Sequence, residues 1–222
     1  MVQFFNFLKF VFSARYTLGF GVHSPFVYNF LRFTVYVSES YYAFENIEKQ
    51  RFKLGLATEI KPRWGKLLFR TVRRFNPENI VEIGAECGIS TAYLASNSSK
   101  SRCLTLSNKS TKPVAEKLFK KLKLNNITCC DEENIFFEKI EKLNTIDFLF
   151  ISESIISSDD LIKRIFPKFT ENTIIIINKL NNKTLWEKIA NAQEITAIID
   201  LFYLGIMFTN KDLQKKEYRA IY

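Results

Sequence analysis

Ile80-Val81-Glu82-Ile83-Gly84-Ala85-Glu86-Cys87-Gly88-Ile89-Ser90-Thr91 is the stretch on which the reading of this chain turns. A short apolar run carries an acid near its end, two glycines follow four residues apart, and Ser90 to Ala95 reads as a helix start. Strand, tight turn and helix N-terminus in that order let backbone approach a bound nucleotide-like group closely. Gly84 permits the turn, and Gly88 removes a Cβ where a ligand or the helix must come near. The spacing Glu-x-Gly-x-x-x-Gly differs from the Gly-x-Gly-x-x-Gly of dinucleotide binders, and it keeps its acid inside the strand. Two glycines after a strand also make an ordinary turn, so the rest of the chain has to decide.

Downstream of Asn79, apolar runs and helix-periodic segments alternate at intervals of roughly 20–26 residues, the rhythm of a parallel βαβ sheet. Strands are expected at Asn79–Ile83, Arg102–Leu106, Ile127–Cys130, Ile146–Ile151 and Thr173–Ile177. Val114, Leu118, Phe119 and Leu122 mark one helix face between them, and Leu161, Ile162, Ile165 and Phe166 mark another. Ile195–Ile199, Gly205–Thr209 and Tyr218–Tyr222 have no helix between them and are expected to pair antiparallel. Upstream, Ser24 is a good N-cap with Pro25 at the first helical position, which predicts a helix to about Phe33. A polar helical segment follows near Tyr41–Leu56, and Trp64, Leu67, Leu68, Val72 and Phe75 recur at helical spacing. The expected architecture is α/β, with an N-terminal helical extension over residues 1–75 and a core over residues 76–222, together one compact domain.

Composition narrows the function. The net charge is +9, but lysines and arginines are interleaved with 23 acids along the 222 residues. The densest basic run, Lys117 to Lys123, lies on a helix whose other face is apolar, and reads as a solvated face rather than a nucleic-acid patch. Cys87, Cys103, Cys129 and Cys130 fall in or beside expected core strands without zinc-site spacing, as in reduced, buried thiols of a cytoplasmic protein. The Phe-rich first dozen residues are broken by Gln3, Asn6 and Lys9 and too short to span a bilayer. They are expected to form a packed helix in preference to a membrane-surface anchor.

The run GAECGIS (Gly84 to Ser90) resembles the first motif of class I S-adenosylmethionine-dependent methyltransferases, in the form found in small O-methyltransferases of the catechol and caffeoyl-CoA type. GVHSPFVYNF (Gly21 to Phe30) looks like the N-terminal signature of a group of class I methyltransferase-like proteins common in Bacteroidetes. DLFYLGIMF (Asp200 to Phe208) resembles the closing stretch of the same group, so the resemblance runs from Gly21 to the last residue. It implies a Rossmann-like fold with a sheet of the seven-stranded type, and N-terminal helices over the cofactor pocket that set substrate selectivity.

The resemblance also implies a site at the carboxyl ends of the strands. Glu82, Gly84, Ala85, Gly88 and Ser90 would meet the methionine part of S-adenosylmethionine. Ser107, with Asn108 beside it, stands where relatives place an acid for the ribose hydroxyls; losing one charged hydrogen bond there costs about 1.5–3 kcal/mol. Asp131 and Glu132 stand where relatives recognise the adenine amino group, and read equally well as a helix N-cap. Ser152 replaces an acid after the fourth strand, and Asn178-Lys179 replaces a pair of acids or an acid and an amide after the fifth. Such neutral or cationic groups are poor ligands for a hard divalent ion, so no catalytic metal is expected. His23, Glu153 and Asp200 are the candidate catalytic groups. Three readings follow: a metal-independent methyltransferase with a small-molecule acceptor; a non-catalytic relative that binds a partner protein, an altered nucleotide-like ligand or a second copy of itself; and a nucleic-acid methyltransferase, favoured only by the net charge.

Overall fold

The computed structural model describes residues 2–57, 60–153 and 156–222, with residues 2–4 described through their backbone only. The chain opens with α1 (Val2–Ser13), α2 (Pro25–Phe30), α3 (Tyr42–Lys53) and α4 (Pro62–Phe75). Ser24 caps α2 as expected, its Oγ accepting from the Val27 N–H at 3.4 Å. The helix predicted to reach Phe33 tightens into α2 and then widens into a π turn over Leu31–Val35. Arg70 stabilises that widened turn, donating to the Thr34 and Val35 carbonyls at 2.8 and 3.2 Å.

The alternating segments then fold as β1 (Asn79–Ile83), α5 (Ile89–Ala95), β2 (Arg102–Leu106), α6 (Lys112–Leu122), β3 (Ile127–Cys130), α7 (Glu133–Glu141), β4 (Ile146–Ile151), α8 (Ser158–Ile165), β5 (Phe169–Asn178) and α9 (Lys183–Asn191). The tail adds β6 (Ala197–Asp200), β7 (Leu204–Phe208) and β8 (Lys216–Arg219). Among the described residues these make one eight-stranded sheet in the order β3-β2-β1-β4-β5-β7-β6-β8, parallel from β3 to β5. Strands buried on both faces read as continuous apolar runs, and alternate side chains feed two cores. Ile80, Phe148, Phe150, Ile174 and Ile176 meet the N-terminal helices on one face. Val81, Ile83, Leu149, Ile151 and Ile175 meet α7, α8 and α9 on the other.

One expectation is corrected at the tail. β7 is antiparallel to both β5 and β6, as expected. β8, however, lies parallel to β6, in the register Ala197↔Lys216, and spans Lys216–Arg219 rather than Tyr218–Tyr222. β8 does run opposite to β7. Both edges of β7 are already occupied by β5 and β6, so the returning chain must pair on the far side of β6.

Residues beyond β8 leave the sheet and thread between the N-terminal helices. The Tyr16 N–H donates to the Arg219 carbonyl at 3.2 Å, the Ile221 N–H to Thr17 Oγ1 at 3.1 Å, and the Tyr36 hydroxyl to the Ile221 carbonyl at 2.6 Å. Arg70 donates to the Tyr222 hydroxyl at 3.0 Å. Among the described residues no helix is long and apolar enough to cross a membrane.

Candidate functional site

The groove that this topology offers lies beyond the carboxyl ends of β1, β2, β4 and β5. The glycine loop ties β1 to β2, for the Gly84 and Ala85 N–H groups both donate to the Leu106 carbonyl at 3.0 Å. Gly84 and Gly88 have φ of 86° and 79°, the left-handed region that glycine enters without strain. A Cβ on Gly88 would lie 2.7 Å from the Phe119 ring, so that glycine serves the close approach of α6. A Cβ on Gly84 would lie 2.6 Å from the Glu153 nitrogen and inside the Glu153 carbonyl. The space that Gly84 leaves open is therefore filled by backbone arriving from β4.

Glu82 is fully buried beneath the start of α5. Thr91 and Thr105 donate to its Oε2 at 2.5 and 3.2 Å, while Oε1 has no hydrogen-bond partner among the described residues. Burial raises its pKa, against the opposite pull of the Ser90, Thr91 and Thr105 hydroxyls. A carboxyl whose folded pKa lies above its unfolded value of 4.5 stabilises the fold fully below that value, and the contribution disappears as pH rises through the folded pKa. Each pH unit separating the two is worth about 1.4 kcal/mol. Glu82→Gln is accordingly expected to gain on the parent protein in Tm as the buffer goes from pH 4 to pH 9. A difference between the two that is flat with pH would show that Glu82 ionises in the fold without penalty.

Ser107 is 4% exposed, and its hydroxyl donates to the Glu86 carbonyl at 3.0 Å and lies 3.2 Å from Thr111 Oγ1. It closes the glycine loop onto β2. Asn108 beside it is exposed, and its carbonyl accepts from the Thr111 and Lys112 N–H groups. Asp131 pairs with Lys112 at 2.8 Å, and that hydrogen bond holds its carboxyl below the usual range. Glu132 is exposed and stands at the N-cap of α7 without a side-chain cap bond.

Ser152 is buried; its N–H donates to the Ile83 carbonyl at 3.0 Å and its carbonyl accepts from Asn182 Nδ2 at 2.9 Å. The same Asn182 amide also donates to the Asn178 carbonyl, tying the ends of β4 and β5 together. This tie was missed from sequence, although the pair Asn181-Asn182 just after a strand was its signal. Also missed was the partner of Lys179, whose ammonium meets Asp200 Oδ2 at 2.5 Å and lies 4.8 Å from the centre of the Trp186 ring. Asp200 is nearly buried, and its other oxygen accepts the Phe202 N–H at 2.8 Å.

Glu153 and Asp200 thus reach the same end of the sheet, the first exposed and the second committed to Lys179. Ser154 and Ile155, which follow Glu153, lie outside the described residues. His23 is not brought to them: it is exposed just ahead of α2, whose Phe26 packs on Phe75 and Phe208. Phe208 pairs with Ile174, which is level with Phe148 in the amino-terminal half of β4, and this puts α2 towards the other end of the sheet. No group of His, Cys, Asp and Glu able to hold a metal occurs among the described residues. Cys103 and Cys130 are buried but Cys87 and Cys129 only half-buried, against the expectation that all four are core groups. Burial pushes the Cys129 thiol up to about 12, which removes it as a nucleophile near neutral pH.

The space left in the groove decides what it can take. Ile83, Gly84, Glu86, Ser107, Asn108 and Glu153 border a cavity of about 30 Å³. Pockets that take drug- and cofactor-sized ligands measure roughly 300–1,000 Å³. With the Glu153 backbone on Gly84 and the Ser107 hydroxyl turned onto the loop, the described residues leave no room at this point of the groove for S-adenosylmethionine.

Fold comparison places this arrangement among known proteins. An O-methyltransferase from Bacillus cereus in complex with SAH (S-adenosylhomocysteine) is similar at 20% identity and a TM-score of 0.62, over 78% of this chain and 93% of that one. The O-methyltransferase TomG from Streptomyces achromogenes, involved in tomaymycin synthesis and solved with SAM (S-adenosylmethionine), is similar at 13% identity and a TM-score of 0.59, over 79% and 93%. The SAH-bound methyltransferase PaMTH1 from Podospora anserina follows at 15% identity and a TM-score of 0.60, over 76% and 88%. No protein-family model and no curated protein matches the chain. The chain has the Rossmann-like α/β fold of these methyltransferases.

Proposed function

We propose that this is a methyltransferase-fold protein that has given up S-adenosylmethionine at the usual place and acts as a binding module. The observation that carries this reading is the groove of about 30 Å³ in which the Glu153 backbone occupies the approach to Gly84. The residues around it agree. The ribose position is a serine bonded within its own loop, and the rim beyond β5 carries a lysine neutralised by Asp200. Four cysteines in or beside the strands, without zinc-site spacing, support a reducing, cytoplasmic compartment.

A metal-independent methyltransferase on a small acceptor is the second reading, and one observation favours it. Trp64, Phe150, Ser152, Asn178 and Tyr203 line a cavity of about 240 Å³ beside the groove, roomy enough for a small aromatic acceptor. This reading requires the segment at Glu153 to leave Gly84 when the cofactor arrives.

A thermal-shift series with S-adenosylmethionine and S-adenosylhomocysteine, with and without Mg²⁺, separates the two. The binding-module reading expects no change in Tm at millimolar ligand. A ligand at a hundred times its dissociation constant adds about 2.7 kcal/mol, which at this size raises Tm by roughly 5–11 °C. A rise of that order, indifferent to Mg²⁺, would overturn the first reading in favour of the second.

A further inference from the structure

We propose that the cleft between α1, α9 and the strands β6 and β8 is a binding site for a small aromatic carboxylate. The cleft measures about 510 Å³, within the range of small-molecule pockets, and its walls come from elements far apart in sequence. Phe10, Trp186 and Phe202 supply its apolar surface. Phe202 has φ of 69°, a conformation that bulky residues rarely enter. Its N–H donates to Asp200 Oδ1 at 2.8 Å, and its ring packs on Phe7 and Phe10 with ring centres 5.1 and 5.2 Å away. Strained backbone persists only where the surroundings over-determine it, and it gathers at ligand sites. Here the strain sets an aromatic ring into the wall of the cleft.

Charge selects the ligand. Lys9, Lys179, Lys183 and Arg219 line the cleft against Glu187, Asp200 and Glu217, an excess of one cation. Both Asp200 oxygens are taken, one by Lys179 at 2.5 Å and the other by the Phe202 N–H. Glu217 accepts from Arg219 at 2.7 Å, and Glu187 lies 4.0 Å from Lys183. Each acid of the cleft thus has another cation beside it, and Lys9 is left without one among the described residues. The Lys179 side chain is only 17% exposed, and its ammonium carries three N–H donors, of which Asp200 takes one. An oxygen anion in the cleft meets the free donors of Lys179 on the buried side and of Lys9 on the exposed side. The flat apolar part of the same molecule lies on the aromatic walls. A monoanion balances the single excess charge, whereas a dianionic phosphate overshoots it and a cation is repelled by both lysines. The cleft shares no residue with the groove of about 30 Å³, so the inference stands whichever reading of that groove holds.

The test is isothermal titration of the full chain with 2-naphthoate, with its uncharged amide 2-naphthamide, and with 2-naphthyl phosphate. Saturable binding of the naphthoate is expected with a Kd of about 1 mM or tighter, and the amide should bind about tenfold more weakly. Lys9→Glu, at an exposed position, should weaken naphthoate binding about tenfold and leave the amide within about twofold. Phe202→Gly keeps a residue at ease with positive φ, and with it the N–H to Asp200, but removes the wall ring; it should weaken acid and amide alike. Lys211→Gln, which removes an exposed cation bordering a different cavity, is the control and should change neither. No saturable binding up to about 10 mM, or equal affinity for acid and amide, overturns the proposal. So does tighter binding of the phosphate, unchanged affinity in Phe202→Gly, or equal loss in Lys9→Glu and Lys211→Gln.

Discussion

Replacing Phe30 by alanine should lower the unfolding free energy by about 3–5 kcal/mol, the usual cost of deleting a fully buried aromatic ring. At this chain length that corresponds to a fall in Tm of roughly 6–20 °C. Phe30 has no solvent exposure, and its ring centre lies 6.0 Å from Phe75 and 5.3 Å from Phe208. It therefore joins α2, α4 and β7, which lie far apart in sequence, and the alanine leaves a hole that all three would have to shift to fill. The same variant tests how the chain is divided. Residues 1–75 are proposed to fold with the sheet as one unit, so calorimetry should give a single transition, displaced as a whole. An early transition confined to the helices, with the sheet melting at the parent temperature, would divide the chain near residue 75.

Gly205→Val should cost about 3 kcal/mol or more, through overpacking rather than a cavity. Gly205 sits within β7, between Ile177 of β5 and Asp200 of β6, and its missing side chain is the seat of the Trp186 indole. Any Cβ there would fall inside the ring, and β7 cannot move away without breaking its pairing with β5 or β6. The expected loss in Tm is roughly 6–12 °C. Trp186→Leu in the same chain should recover a substantial part of it, since the clash is with one ring; a double-mutant cycle measures that coupling. Purely additive losses would mean that valine is rejected by the strand itself and not by Trp186.

Much of the parallel core is legible in the sequence because burial on both faces writes its central strands as apolar runs. The first four strands, whose limits are Asn79–Ile83, Arg102–Leu106, Ile127–Cys130 and Ile146–Ile151, coincide with the apolar runs themselves. β5 begins earlier than Thr173 because Phe169 pairs with Ile146 across a bulge, a contact that no local pattern announces. β8 shows a second limit. Its direction follows from alternation, but its neighbour depends on which strand edges remain free, and that is a property of the finished sheet. The candidate site divides in the same way. The replacements at Ser107, Ser152, Asn178 and Lys179 are visible as residue types. Their consequences are not, because they depend on partners far along the chain: Glu86 for Ser107, Asp200 for Lys179, and Asn182 for the carbonyl of Ser152.

The threading of residues 219–222 through the first helices fixes a sequence of events during synthesis. Thr17 meets Ile221 across 204 positions and Tyr36 meets it across 185. A ribosome adding 5–20 residues per second completes those partners roughly 10–40 s after the helices have emerged. Phe208, against which Phe26 and Phe30 rest, is equally late to arrive. The part of the protein made first is thus secured last. Until then its aromatic side chains depend on whatever shields nascent apolar chain, so the yield of folded protein is governed by the time that segment waits as well as by the stability finally reached.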